Sequence, residues 1–594
     1  MPAQGLSQPA PGEEETRRAR RVRAWPQRVG RWARRVDRIE LALLVAFCAL
    51  GSWVAVVDAV HAACGHLLWT GTAGVYLQDE MQYLAWIRDA SRHVLVSDMF
   101  MVHGTAHDYL QPLVAISGGL VVLGMAPSLA LELWQPLAVI AALAAVWWLI
   151  HRLVEGVGRR RAALALALFG GAVATHPDLW LPFWCWGYPF GLFALAGAIW
   201  ALAICARERP SGRARLAAAA LGGLAAWLHP WQGETLILIL LGGLWLSRRA
   251  FWGPRPVVDL RCATWVLCAT ALPLGYYAAL GLLDPAWRRG AAVGASAPSA
   301  WLLALDLAPL GIPALLGYRR RVATRLDLLV RCWPPAALTV LAVDLLGLGS
   351  TPTHALLGIS VPLSVLAVVG CSELLGPADE PSRLAGLQLR AVGWLSHAVG
   401  LQPHGDGSPP VRGRRRSCDR ARALAIVAIA AATLPVCASE LAKSLPLISP
   451  RAANGNFISR GDAAALSYLA RDPQRGAVLT DYGLGLLVPG ITDRRTYLGD
   501  SYWTPDWDWR WRQVFRLLGG FMAPRQARAF VRSTGARFLL SGCRALRARA
   551  ARRPALSPRA LGSLRPLVVR ARRFGCATLL VLRPGRPAFR SRAV

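Results

Sequence analysis

Apolar runs recur along the chain and alternate with short turns that are rich either in arginine or in tryptophan and histidine. The runs fall near Ile39–Val60, Leu110–Leu123, Leu131–Ile150, Ala162–Ala174, Gly187–Cys205, Leu216–Leu228, Thr235–Leu246, Ala263–Leu282, Trp301–Leu316, Pro335–Leu348, Ala355–Val369 and Ala421–Val436. A full bilayer crossing takes roughly 20 apolar residues, so the shorter runs need flanking residues to complete them. The pattern predicts a polytopic α-helical membrane protein. From about Arg451 it changes. NFISRGDAAALSYLARDP reads as a helix starting near Asp462, GAVLTD and RRTYL as strands, and DWRWRQVFRLLGGF and APRQARAFVRSTG as amphipathic helices. RFLLS reads as a strand, and PLVVRA with CATLLVLRP as a terminal pair, which together make a small α/β domain.

Basic residues orient the runs. Arg159 to Arg161, Arg207 to Arg215, Arg248 and Arg249, Arg319 to Arg331 and the RGRRRSCDRAR stretch all sit between apolar runs. Under the positive-inside bias these are cytoplasmic loops. Working back from them, the Leu131–Ile150 run travels inward, so Leu110–Leu123 is an interfacial or re-entrant helix rather than a crossing. The expected architecture has about eleven transmembrane helices. Its parts are a cytoplasmic basic segment (1–38), a transmembrane domain (39–450) with a first extracytoplasmic loop (61–130) and a Pro-, Gly- and Arg-rich cytoplasmic loop (375–420), and an extracytoplasmic C-terminal α/β domain (451–594). The polar segments HPDLWLPFWCWGYP, HPWQGE, DPAWRRG and STPTH then converge on the outer face.

Composition supports this reading. Of 594 residues, 54% are hydrophobic and 17% charged, against roughly 25% charged in soluble chains. The net charge of +33 lies in the loop arginines, so it marks topology and not a nucleic-acid surface. Lys443 is the only lysine, which points to coding bias. The N-terminal basic stretch precedes a full-length span without a small-residue cleavage site and is no signal peptide. The cysteines lack metal-ligand spacing and read as small buried thiols, except that Cys543 and Cys576 can pair if the tail is extracytoplasmic.

The candidate chemistry starts in the first outer loop. Asp79 and Glu80 are adjacent, do not share a helical face, and are expected to do separate jobs; the alternative is a solvated helix cap. Asp89 with Arg92 reads equally as an ion pair or a site. His93, Asp98, His103, His107 and Asp108 can reach one cavity as a carboxylate and imidazole shell for a divalent metal. His176 with Asp178, and His229 with Gln232 and Glu234, sit where a following proline ends a helix at the membrane surface; Trp180, Trp184, Trp186, Tyr188, Trp227 and Trp231 around them suit either an aromatic belt or a grip on an amphipathic substrate. In the tail, Arg494 and Arg495 precede an aromatic and acidic loop with Tyr497, Asp500, Trp503, Thr504, Asp506, Trp507 and Asp508. Guanidinium groups bind phosphate bidentately and indoles stack on sugar faces; a solvated turn before a strand is the alternative.

A cytoplasmic start, a first crossing, the acidic pair in QDEMQYLAWIRDA, a non-crossing helix in HDYLQPLVAISGGLVVLGMAP, many further spans and a small outer C-terminal domain together resemble the GT-C superfamily of integral-membrane glycosyltransferases. The resemblance covers most of the chain and is specific in architecture, loose in motif. It implies transfer of a sugar from a polyprenyl-phosphate or polyprenyl-diphosphate donor to a glycan, lipid or protein acceptor, and many members are actinobacterial cell-envelope enzymes. The first-loop acid of the family matches Asp79 or Glu80, and its later-loop residues correspond loosely to His176, Asp178, His229 and Glu234. Gln78-Asp79-Glu80 is not an Asp-x-Asp, which bears on metal dependence. A divalent ion (Mg, Mn or Ca) would sit on Asp79, Glu80 and His229.

Read from the residues, Asp79 would be the general base on an acceptor hydroxyl, giving inversion at the anomeric carbon. Arg494, Arg495 or a metal would stabilise the leaving phosphate. A lipid or glycan transporter or flippase is one rival, which calls for polar groups at mid-span. The other is a non-catalytic glycan-binding assembly protein of the cell envelope.

Overall fold

The protein was analysed as a computed structural model, which describes residues 37–64, 67–171, 177–248, 258–293, 299–349, 351–374, 455–543 and 556–583 and parts of 427–449. The expectations for residues 1–36, for loop 375–420, for His176 and for most of the run at 421–436 lie outside the described residues.

Five helices are long and apolar enough to cross a membrane. They are α1 (Arg38–Cys64), α4 (Pro127–Leu153), α9 (Leu260–Leu283), α11 (Ala300–Gly317) and α12 (Arg325–Val343, extended to Gly347). Between α1 and α4 lie α2 (Leu77–Ala90) and α3 (Pro112–Val122). Next come α5 (Val157–Phe169), α6 (Pro189–Cys205), α7 (Gly212–Leu228), α8 (Pro230–Arg248), α10 (Pro285–Val293) and α13 (Ser360–Leu374). α3 has 11 residues, a length of about 16 Å at 1.5 Å per residue, half of what a crossing needs. Its non-crossing character follows from length, and Gln111 caps it by accepting from the Val114 N–H at 2.7 Å.

Many large apolar side chains face outward on these helices, among them Val45, Val56, Leu272, Leu283 and Leu315. In water such surfaces would be a liability, and in lipid they are the expected exterior. Helices α7 and α9 approach closely because α7 carries Gly222, where a Cβ would lie 2.8 Å from Thr270 Oγ1 and from a Val266 methyl; small residues let helix backbones meet where no hydrophobic effect drives them together. At one end of the bundle Arg161 pairs in bidentate fashion with Asp37 (2.8 and 2.7 Å), and His151 approaches Glu40 at 2.8 Å.

The C-terminal segment contains α14 (Arg460–Arg471), α15 (Tyr482–Thr492), α16 (Trp507–Leu518), α17 (Pro524–Ser533) and α18 (Pro558–Leu564). A four-stranded sheet runs in the order β3-β4-β6-β5, from β3 (Val478–Leu479), β4 (Phe538–Ser541), β5 (Val568–Phe574) and β6 (Ala577–Leu582). β3 and β4 are parallel, and the other pairs are antiparallel. Most expected elements are present, with differences of physical origin. Ser459, not Asp462, caps α14, its Oγ accepting from the Asp462 N–H at 3.1 Å. RRTYL contributes only a bridge between Thr496 and Val478. DYGLGLLVPGITD, rich in glycine and proline, forms the buried helix α15, because Asp481 caps its first turn and the bulk of its side chains are covered.

This segment is also joined to the chain just after α1. Strand β1 (Leu68–Trp69), just after α1, pairs with β2 (Phe457–Ile458) in register Leu68↔Ile458 and Trp69↔Phe457. Thr70 Oγ1 donates to the Gly455 carbonyl (2.9 Å), Asn456 Nδ2 to Asp58 (3.2 Å), and α15 packs along α2. Cys543 and Cys576 are disulfide-bonded, tying the end of β4 to the start of β6. Replacing either by serine is expected to cost about 2–4 kcal/mol, read as a lower unfolding midpoint of detergent-purified protein; an unchanged midpoint would remove the bond from the stability of this unit.

Candidate active site between the first outer loop and the C-terminal domain

Helix α2 carries Asp79 and Glu80 in its first turn, where carboxylates are favoured by the helix dipole. One residue apart on a helix, they diverge by about a quarter-turn, and the structure gives them different surroundings. Glu80 is 2% exposed; its Oε2 accepts the Ala73 N–H at 2.7 Å, and Gly187 with φ +143° lies against Oε1, where a Cβ would collide. Burial, with Glu132 and Asp58 nearby, holds its carboxyl well above the usual range. Glu80 therefore braces the turn into α2, a buried acid facing a cavity of about 500 Å³ that Cys48, Val139, Cys185 and Trp186 help to line.

Asp79 is different. Its carboxylate makes no hydrogen bond or ion pair among the described residues, and desolvation, reinforced by the Asp178 charge, pushes its pKa up to about 6. Its charge is felt by Tyr76, Tyr83, Tyr188, Tyr482 and Tyr502 and by Asp500. Gln78, the preceding residue, fastens this end of α2 to the C-terminal domain: its Nε2 donates to Asp500 Oδ1 (2.8 Å) and Ser501 Oγ (3.0 Å), and Tyr482 OH donates to its Oε1 (3.2 Å). Asp500 is fully buried, and its carboxyl is raised by burial and by Asp79. On the other flank Asp178 accepts the Thr353 hydroxyl at 2.5 Å. Three acids from three distant parts of the chain thus surround one tyrosine-lined space.

A basic end adjoins this acidic one. Asp98, pushed up to about 7 by burial against the pull of Arg289 and Arg495, accepts the Phe100 N–H through Oδ1 and leaves Oδ2 buried without a partner. Arg495 Nη2 donates to Ser97 Oγ at 3.2 Å, while its Nη1 is buried with no partner among the described residues. Arg289, from the DPAWRRG turn, reaches Met101 Sδ at 3.2 Å. Arg510 stacks over Tyr497, 4.6 Å from the ring centroid, and lies in the field of Asp98 and Arg289. Guanidinium donors beside an acid whose carboxyl is raised to about 7 favour an incoming anion.

The expected pair Arg494 and Arg495 is split, since neighbours in extended chain point to opposite sides. Arg494 is spent within the domain, donating to the carbonyls of Leu469, Asp472 and Gln474 and stacking over Phe538. It is not a phosphate ligand. Trp503 is buried in a cluster with Trp86 (5.4 Å between ring centroids) and Trp287 (4.9 Å), so it packs the walls and does not present a free face. Asp506 is an exposed residue in left-handed conformation (φ 48°) before α16. His103 is exposed, and Asp108 is half-buried with its carbonyl accepting from Tyr276 OH.

His229 ends α7, fully buried, with neither ring nitrogen hydrogen-bonded among the described residues. It stacks on His354 (5.3 Å, 8°) inside a box of Trp184, Tyr188 and Trp231. Burial lowers both imidazoles, most strongly His229. Gln232 Nε2 donates to the Leu357 carbonyl at 3.0 Å and its Oε1 has no partner among the described residues; Glu234 is half-buried two residues further on α8. Asp178, His354 and the His229 box share the Tyr188 wall with Asp79. The set Asp79, Glu80 and His229 does not converge as a metal shell: Glu80 is turned to the Ala73 amide, and among the described residues the one trio of His, Cys, Asp or Glu ligand atoms within 4.8 Å of one another is Asp89, His93 and His107. Gln78, Tyr482, Arg289, Arg510 and Thr353 were not singled out by sequence. Only His354, Thr353 and Arg289 had a signal, their place in the polar STPTH and DPAWRRG turns.

No family model and no curated protein matches the chain. Solved structures similar to it include an oligosaccharyltransferase from Archaeoglobus fulgidus tethered to an acceptor peptide containing the NVT sequon (12% identity, TM-score 0.47, covering 85% of this chain and 69% of that one). The same archaeal enzyme, AglB, with an inhibitory peptide and a dolichol-phosphate, is similar at 12% identity and TM-score 0.44, covering 84% and 69%. ArnT from Cupriavidus metallidurans in the apo state is similar at 14% identity and TM-score 0.42, covering 89% and 97%. Both proteins are of the superfamily that the sequence resembles. At such identity and superposition no residue role is taken from them.

Proposed function

We propose that the protein is an integral-membrane glycosyltransferase that moves a sugar from a polyprenyl-phosphate or polyprenyl-diphosphate donor to a cell-envelope acceptor on the extracytoplasmic side. The observation that carries this reading is the Asp79 carboxylate, unpaired among the described residues and pushed up to about 6, set among tyrosines beside Asp500, which also feels Asp98, itself in the field of Arg289 and Arg495. A carboxylate so tuned is ionised near neutrality yet basic enough to accept a proton from an attacking hydroxyl. The acceptor oxygen, losing its proton to Asp79, bonds to the anomeric carbon as the bond from that carbon to the phosphate oxygen breaks. The departing phosphate takes both electrons of the broken bond, with Arg289 and Arg495 donating to it. Displacement from the opposite face inverts the configuration. The donor class follows from the sequence resemblance, and the lipid tail would remain among the exposed apolar helix faces. The disulfide in the C-terminal domain suits an oxidising exterior, and the Asp37–Arg161 pair at the start of α1 suits a cytoplasmic N-terminus.

The test is transfer by purified protein in proteoliposomes, given radiolabelled polyprenyl-phospho-mannose, -glucose, -arabinofuranose or -galactofuranose with an envelope extract as acceptor. Label is expected to leave the lipid and enter acceptor for one of these donors. Passage of labelled lipid across the bilayer with its sugar intact would overturn the reading in favour of a flippase.

A further inference from the structure

The far end of α2 holds a second cluster that the proposed transfer does not use. Asp89, buried in the last turn of the helix, directs each carboxylate oxygen at a different imidazole: Oδ1 lies 3.0 Å from His93 Nδ1 and Oδ2 lies 3.4 Å from His107 Nδ1. The two rings are in contact, with centroids 4.0 Å apart. Ten residues of helix separate Asp89 from Asp79, about 15 Å at 1.5 Å per residue, so the cluster is remote from the space described above.

The spacing is informative. Tetrahedral zinc with bonds of about 2.0–2.1 Å places neighbouring ligand atoms about 3.3–3.4 Å apart, and one ligand atom from each of Asp89, His93 and His107 lies within 4.8 Å of the other two, a spread that small side-chain shifts close. The carboxylate is also oriented from behind. Ser97 N and Oγ both donate to Asp89 Oδ2, at 2.8 and 3.1 Å, and Arg495 in turn donates to Ser97 Oγ; hydrogen bonds of this kind hold a metal-ligating carboxylate in place. The two imidazoles are half-exposed, which leaves a path for an ion and a fourth position for water. Arg92, which could have competed for Asp89, is engaged by Asp493 instead.

We propose that Asp89, His93 and His107 form a zinc site that clips the end of α2 to the segment before α3. The ion would take the place of the Nδ1 protons, each ring keeping its proton on Nε2. Closing this clip fixes the excursion between residues 93 and 107, which carries Ser97, Asp98 and Met101 to Arg495 and Arg289. The site is structural, and it holds or fails independently of whether Asp79 performs transfer.

Cobalt(II) is the probe. Metal-stripped protein in detergent, titrated with one equivalent of Co²⁺, is expected to develop the intense visible absorption of a four-coordinate ion and to lose it on adding Zn²⁺, but not Mg²⁺. His93→Ala and His107→Ala should abolish that absorption. Ser97→Ala should weaken zinc binding by about 10–100-fold while keeping the spectrum. Because the alanine variants can disturb the loop, His107→Gln, which keeps a polar side chain, is run beside them with the unfolding midpoint followed; the midpoint of the parent is expected to rise with Zn²⁺ and that of His107→Gln to stay fixed. A weak octahedral spectrum in the parent, or the same spectrum in parent and variants, would overturn the proposal and leave His93 as an ordinary hydrogen-bond partner of Asp89 and His107 as one of the Leu95 carbonyl.

Discussion

Asp79→Asn is expected to lower sugar transfer by about 10²–10⁴-fold, the range for loss of a general base, with folding and donor binding retained. Asparagine is isosteric and the Asp79 side chain has no hydrogen bond among the described residues to forfeit, so folding survives the change, with only the pH dependence that Asp79 gives to stability removed. The neighbouring substitution Glu80→Gln should leave turnover near the parent level, because burial raises that carboxyl well above the usual range and its Oε2 needs only to accept the Ala73 amide, which an amide oxygen does equally. The pH profile supplies a second readout. A base with a pKa of about 6 is inactivated by protonation, so kcat/KM should fall as pH drops through 6 and level off above it. Stability should move the other way. Asp79 and Asp98, with folded-state values of about 6 and 7, bind protons that the unfolded chain, at 3.8, has already released. Stability is therefore fully present below about pH 4 and declines as pH rises through 6 to 7. Equal turnover of Asp79→Asn and parent on purified donor and acceptor would sink the assignment of the base.

Arg495→Ala is expected to lower kcat/KM for the lipid-phosphate donor by about 10²-fold, the lower end of what a single donor to developing negative charge supplies. Its Nη1 is the one buried guanidinium nitrogen on the C-terminal side of the site that lacks a partner and borders Asp98. Arg495→Lys should recover little, since an ammonium cannot reproduce the planar fork that reaches Ser97 and an anion together. Arg494→Ala, one residue away, should give the opposite pattern: donor KM unchanged, but a lower unfolding midpoint, because the carbonyls of Leu469, Asp472 and Gln474 lose their donor and a hydrogen bond of this kind contributes about 0.5–1.5 kcal/mol. If both variants behaved alike, the division of labour inferred for the two arginines would be wrong.

The sequence showed the apolar helices and most of the C-terminal sheet, because each is written as a local period; the short helix at Pro112–Val122 was set apart from the crossings only by the arginines of later loops. It also showed that two adjacent acids must part company, since helical geometry allows nothing else, though not which one would be sealed off. That depended on the Ala73 amide and Gly187, far apart in sequence. Gln78 was invisible for the same reason: an amide in a polar helix start carries no pattern until Asp500 and Ser501 are brought to it. β1 and β2 are two residues each, too short for any alternation to register. Helix α15 was concealed by its glycines and Pro489, which read as breakers when local preference is considered without the burial that overrides it. Arg494 and Arg495 looked equivalent in a string of letters, and only the direction of an extended backbone separated them.

The short ribbon between Leu68–Trp69 and Phe457–Ile458 has a bearing on how the molecule is made. Thr70 and Gly455, bonded across it, are 385 residues apart, so at about 5–20 residues per second a ribosome needs about 20 to 80 s between delivering the one and the other. During that interval the first loop has left the translocon with no edge to pair against, and the tyrosine-lined space has only one wall. Maturation of this protein is thereby tied to the last stage of its synthesis, and a chain released early would carry its membrane helices and an unsealed loop together.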